Sequence, residues 1–95
     1  MLIHIVSFKY KAEIDEPRRI EHQRLLRTLA DIDGVIDLNA GPDVVRSQRS
    51  YDAGLVVTFR DRSALDRYAT NPRHVPIAQV GAGLCDSIVS VDFEI

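Results

Sequence analysis

Residues 2–10 (LIHIVSFKY) alternate: Leu2, His4, Val6, Phe8 and Tyr10 point one way, and Ile3, Ile5, Ser7 and Lys9 the other. Both sets are largely apolar, which predicts a strand covered on both faces. A helix start follows, with Asp15 placed as N-cap and Glu16 and Pro17 in the first turn. His22, Leu25, Leu26, Leu29 and Ile32 then recur at helical spacing as an inward stripe that Ile14 joins, while Ile20 falls on the opposite face. Gly34 is positioned to stop this helix. Val35 to Ala40 reads as a second strand ended by Gly41 and Pro42, and the polar loop after it carries one apolar pair, Val44 and Val45. The third strand, about Asp52 to Arg60, sets Ala53, Leu55, Val57 and Phe59 on one face, and Asp61 caps a second helix running to Thr70. Pro72 and Pro76 punctuate the next segment, so His74 is expected on a turn. Residues 77–84 (IAQVGAGL) fit a short helix weakened by Gly81 and Gly83. The last strand, 87–95, alternates Val89, Val91 and Phe93 against Ile88, Ser90 and Asp92.

The resulting order, β-α-β-β-α-β, predicts a ferredoxin-like α+β domain over residues 1–95. Its four-stranded antiparallel sheet would carry both helices on one face. The other face would hold Ile3, Ile5 and alternate residues of the third and last strands. Pressing two such faces together removes apolar surface from water at about 25 cal/mol per Å², so a homodimer is expected from burial alone.

Composition narrows the function classes. A net charge of −2 leaves no basic footprint for nucleic acid or an anionic membrane. Arg18, Arg19, Arg24 and Arg27 cluster, but Glu13, Asp15, Glu16, Glu21 and Asp31 surround them as on a solvated helix face. The opening apolar run contains His4 and Lys9 and lacks a charged leader region, a cleavage site and the length for a membrane span, which predicts a cytoplasmic protein. The single cysteine, Cys85, permits no internal disulfide and has no basic neighbour to activate it.

Four stretches are familiar together: HIVSFKYK, the G-P-D after the second strand, YDAGLVVTFRDRSALDRYATNPRHV, and the terminal VDFE. In this order, from His4 to Glu94, the chain resembles the stress-responsive A/B barrel (Dabb) family. The resemblance implies subunits that pair sheet to sheet into a dimeric α+β barrel. It also implies kinship with cofactor-free polyketide cyclases of plant secondary metabolism. In those relatives a His matching His74 acts as base, a Tyr matching Tyr68 supports it, and a His matching His4 lies near the cavity. His22 stands where those cyclases look aromatic, so the pocket is expected to differ.

The residues themselves permit the same chemistry. An imidazole with an ordinary pKa near 6.5 at His74 can remove a proton from an acidic carbon at neutral pH. The Tyr68 hydroxyl can orient it or donate to a developing oxyanion. The plain alternatives are a His that orders a turn and a Tyr that packs in the core. His4, Val6 and Phe8 should face His22 and Leu26, forming a space for a small apolar or aromatic ligand. Burial there would hold His22 neutral. No H-x-H, H-x3-H or E-x-x-H spacing suggests a metal site, and no nucleotide or haem motif suggests a cofactor. Asp15, Asp61, Asp86 and Asp92 read as caps, turn residues and strand-edge groups. Two functions follow: a ligand-binding or stress-related module without catalysis, or a cofactor-independent cyclase or isomerase using a His base.

Overall fold

The computed structural model describes residues 1–95. The strands are β1 (Leu2–Tyr10), β2 (Val35–Pro42), β3 (Ala53–Phe59) and β4 (Cys85–Glu94). The helices are α1 (Glu16–Arg27), α2 (Arg62–Ala69) and α3 (His74–Leu84), with a short 3₁₀ turn over Thr28–Asp31. All strand pairs are antiparallel and their order is β2-β3-β1-β4. The ferredoxin-like fold expected from the alternation is therefore the fold observed, with one addition.

That addition is α3. The expected turn at His74 is instead the first residue of an 11-residue helix that absorbs the ambiguous 77–84 segment. Pro76 does not prevent it, because the first four N–H groups of a helix have no intrahelical acceptor and a proline there forfeits nothing. The amide of Val75 still reaches the Asn71 carbonyl at 3.1 Å, joining the α2 exit to the α3 start. The first helix also ends earlier than its stripe suggests. Leu29 sits on the 3₁₀ turn and Ile32 beyond it, yet both stay buried in the core.

The caps form as the sequence implies. Asp15 accepts from the Arg18 amide at 3.1 Å, and Asp61 from the Ala64 amide at 2.8 Å. Each such cap is worth about 1 kcal/mol. Gly34 lies in a left-handed backbone (φ 92°), where a Cβ would stand 2.7 Å from the Ala64 Cβ. Close approach of α2 to the α1–β2 connection depends on the missing side chain.

The core lies between the sheet and the helices. Leu2, Val6, Phe8 and Tyr10 of β1 and Ala53, Leu55, Val57 and Phe59 of β3 are buried on the helix side. Leu29, Val57 and Phe59 are wholly enclosed, so truncating one of these large side chains to Ala costs about 2–5 kcal/mol. The register sets Ile3 opposite Phe93, Ile5 opposite Val91 and Ser7 opposite Val89 on the far face. There Val56 (42%), Val89 (49%), Val91 (56%) and Phe93 (46%) remain substantially exposed. No helix is long and apolar enough to cross a membrane.

Candidate functional site

A cavity of about 230 Å³ opens between α3, α1 and the sheet. Strand β1 contributes His4, Val6 and Phe8, because alternation turns every second residue toward the helices. His22 and Leu26, four residues apart on α1, share the face that looks at this strand. Leu55, Ile88 and Ser90 complete the floor, and His74, Ile77, Ala78 and Gly81 of α3 form the roof. For scale, a dry cavity of about 150 Å³ accommodates benzene. The space suits one ring with small substituents.

All three histidines of the chain stand on this wall. His4 hydrogen-bonds Asp92 through Nδ1, across the β1–β4 pairing that puts the two residues opposite one another. A carboxylate accepts, so the His4 proton sits on Nδ1 and its Nε2 has no protein partner. His74 donates from Nδ1 to the Ala69 carbonyl at 3.2 Å, at the end of α2. Its Nε2 likewise has no protein partner. Burial is the main cause holding His74 below the ordinary imidazole range; the nearby His4 adds to it and the Ala69 carbonyl opposes it. His22 is held below that range by burial alone.

His22 is anchored differently. Its Nδ1 lies 2.7 Å from the Tyr10 hydroxyl, and the Gln23 side-chain amide donates to the same hydroxyl at 3.5 Å. Phe8 packs edge-on against His22 with ring centres 4.9 Å apart. The Arg19 guanidinium lies over the Tyr10 ring at 5.1 Å. Half-buried Asp52 accepts from the Tyr10 amide at 2.9 Å and from Arg46 at 2.8 Å. Burial opposes ionisation of Asp52, but these donors and Arg19 together hold its pKa below the usual value.

Tyr68 is not part of the cavity wall. The residue is 1% exposed; its ring centre lies 4.3 Å from that of His74, tilted against it, and it meets Phe59 edge-on at 4.9 Å. The hydroxyl makes no hydrogen bond within the protein, and burial pushes its pKa up to about 12. It therefore stays protonated, as an unspent donor behind the His4–His74 end.

The structure thus brings His4, Val6, Phe8, His22, Leu26 and His74 around one space and sets Tyr68 just behind it. Sequence reasoning missed the contribution of α3 and the role of Tyr10. It also took Asp92 for a strand-edge group, whereas Asp92 is the partner of His4. The available signal was the alternation of β4, which puts Asp92 on the side opposite Val91; what was lacking was the β1–β4 register. No group of three His, Cys, Asp or Glu side chains is arranged to hold a metal ion.

A four-stranded sheet under three helices, with a histidine-lined cavity between the layers, defines a ferredoxin-like subunit of the barrel-forming kind. The chain belongs to the Stress Responsive A/B Barrel Domain (Dabb) family, whose sequence model matches residues 2–95. It is similar to a dimeric ferredoxin-like protein of unknown function from Jannaschia sp. CCS1, with 31% identity, a TM-score of 0.84, and coverage of 99% of this chain and 98% of that one. A dimeric ferredoxin-like protein of unknown function from Thermobifida fusca superposes with a TM-score of 0.91 at 20% identity, over 99% and 90% of the two chains. A hydroxynitrile lyase from Passiflora edulis superposes with a TM-score of 0.88 at 16% identity, over 99% and 92%. No curated protein matches the chain in sequence.

Proposed function

We propose that this protein is a homodimeric barrel subunit whose cavity binds a small, mainly apolar ring compound and moves a proton on it without a cofactor. The observation that carries the reading is the paired setting of His4 and His74. Each ring is fixed through Nδ1 by an acceptor, and each has an unengaged Nε2 on one apolar cavity. A purely structural histidine has no need of such an arrangement, whereas a general base needs an oriented lone pair. The dimer is supported by the apolar far face of the sheet and by the dimeric description of the similar proteins.

In this reading His74 is the base, because burial keeps its ring neutral. Its Nε2 takes a proton from an acidic C–H or O–H. From a C–H acid the bond pair forms a C=C bond and the adjacent carbonyl's π pair moves onto its oxygen as an enolate. From the O–H of a hydroxynitrile the pair forms the C=O bond and expels cyanide, which takes the proton back from His74. His4, oriented by Asp92, exchanges the proton at the other side of the substrate. Tyr68 supports the His74 ring by stacking, and its hydroxyl is the nearest unspent donor. The lyase among the similar structures makes cyanohydrin cleavage one natural reaction to try.

The test is proton exchange and bond cleavage on ring-sized weak acids. Ethyl benzoylacetate in D₂O and mandelonitrile, both followed by NMR, serve as substrates. Wild-type protein should act above buffer, and His74→Ala should lose about 10²–10⁴-fold. The acidic limb of the pH profile should lie below 6.5, because the base keeps its lone pair until pH falls through its lowered pKa. Binding of both compounds without exchange or cleavage would leave only the ligand-binding module.

A further inference from the structure

The two ends of the cavity have opposite hydrogen-bonding character, and the buried network behind His22 sets this polarity. The Tyr10 hydroxyl receives the Gln23 amide at 3.5 Å, so its own proton has one acceptor in reach, His22 Nδ1 at 2.7 Å. Burial raises the Tyr10 pKa, so that proton is retained. His22 must then carry its hydrogen on Nε2, and this atom faces α3 at Gly81, where a Cβ would stand only 2.9 Å away. At the other end His74 holds its proton on Nδ1 with its Nε2 lone pair available, and His4, tied to Asp92 through Nδ1, turns an Nε2 without protein partner toward the same space. The cavity therefore has a donor at the α1 end and an acceptor, His74 Nε2, at the opposite end.

From this geometry we propose that His22 is the recognition residue of the site. It selects ring compounds that place a hydrogen-bond acceptor, such as a carbonyl oxygen, opposite the acidic group that meets His4 and His74. The inference rests on the proton-transfer reading for the second half of the ligand, but the role of His22 is separate from catalysis. Distance supports it. Phe8, which packs on His22, is four residues along β1 from His4, a separation of about 13 Å at the strand rise. The two histidine ends are thus well apart along the strand, as a ring bearing polar substituents at opposite positions requires. The remaining wall is mainly apolar, from Val6, Leu26, Leu55 and Ile77, with the Ser90 hydroxyl as its one further polar group.

The experiment compares two electron-poor phenols of similar size, 4-hydroxyacetophenone, which carries the acceptor, and 4-(trifluoromethyl)phenol, which lacks a good one. Affinities are measured by NMR titration on the intact protein, with no turnover involved. Wild type should prefer the ketone by roughly three- to tenfold, the worth of one net hydrogen bond. His22→Phe, which keeps an aromatic ring on Phe8 but removes the donor, should abolish the preference while still binding the trifluoromethyl compound. Because that variant strands the Tyr10 hydroxyl and can fail to fold, the wild-type His22 ring is also examined by ¹⁵N NMR, where the Nε2–H tautomer is expected. Equal affinities in wild type, no saturable binding of either phenol, a preference surviving in His22→Phe, or an Nδ1–H tautomer would each overturn the proposal. A ketone preference in a protein that shows no proton exchange would instead uphold His22 and sink the catalytic reading.

Discussion

Two glycines of α3 separate tight packing from backbone freedom. A Cβ at Gly81 would meet His22 Nε2 at 2.9 Å and Phe8 at 3.7 Å, whereas nothing lies within 4 Å of one at Gly83. His22 cannot easily retreat, because Tyr10 holds one side of the ring and Phe8 the other. Gly81→Ala should therefore destabilise by about 1–3 kcal/mol, the usual cost of overpacking. Gly83→Ala, on an exposed helix turn, should stabilise by roughly 0.5–1 kcal/mol. Urea unfolding of the two variants beside the wild type measures both signs, and equal effects would refute the close contact. Much at this scale was legible in the chain. Alternation alone placed His4, Val6 and Phe8 toward the helix stripe holding His22 and Leu26, where the structure has them. The hydrogen bonds were not legible, since Asp92 meets His4 across 88 residues and only a strand register can join them.

Among the elements, α1, α2 and all four strands announce themselves by caps and periodicity, but α3 does not. It has no side-chain cap, two glycines, a proline in its first turn, and only Gly81 fully buried. What holds it is tertiary: Ile77 against the core, and at its start Arg73, which reaches the Thr28 carbonyl at 2.8 Å and Asp31 at 2.7 Å. Local propensity gives little reason to expect a helix there, and packing over the cavity supplies it. Such an element opens at low cost. Its backbone amides should exchange with D₂O faster than those of α1, and a ligand held beneath it should slow them. Hydrogen-exchange mass spectrometry resolves the difference, and protection equal to that of α1 would show a rigid roof instead.

For the whole molecule, the decisive feature is the uncovered side of the sheet. Ile3, Ile5, Val56, Val89, Val91 and Phe93 form a continuous apolar surface, with Asp37 and Asn39 of β2 at one margin. Val91→Glu, opposite Ile5 on this surface and on the face of the sheet away from the cavity, should convert a dimer of twice the chain mass into a monomer. Sedimentation equilibrium at micromolar concentration reads this directly, and a wild-type monomer would end the barrel assignment. The apolar residues on both faces of β1 imply a second covering layer, and the register establishes which β4 residues share the far face.

The sheet order also bears on how the chain is made. β1, the first strand synthesised, has β3 on one side and β4 on the other, with Leu2 opposite Glu94. As the polypeptide leaves the ribosome, the hydrogen-bonding groups on one side of β1 stay unmatched until β4 has emerged. Through that interval Ile3 and Ile5 have only β3, with Val56, beside them on their face, and the cavity lacks the wall that Ile88 and Ser90 provide. A nascent chain in this condition presents a bare strand edge beside apolar surface, the form most open to wrong pairing. Folding of this domain waits on β4, and its yield in a cell depends on how well the chain is shielded until that strand arrives.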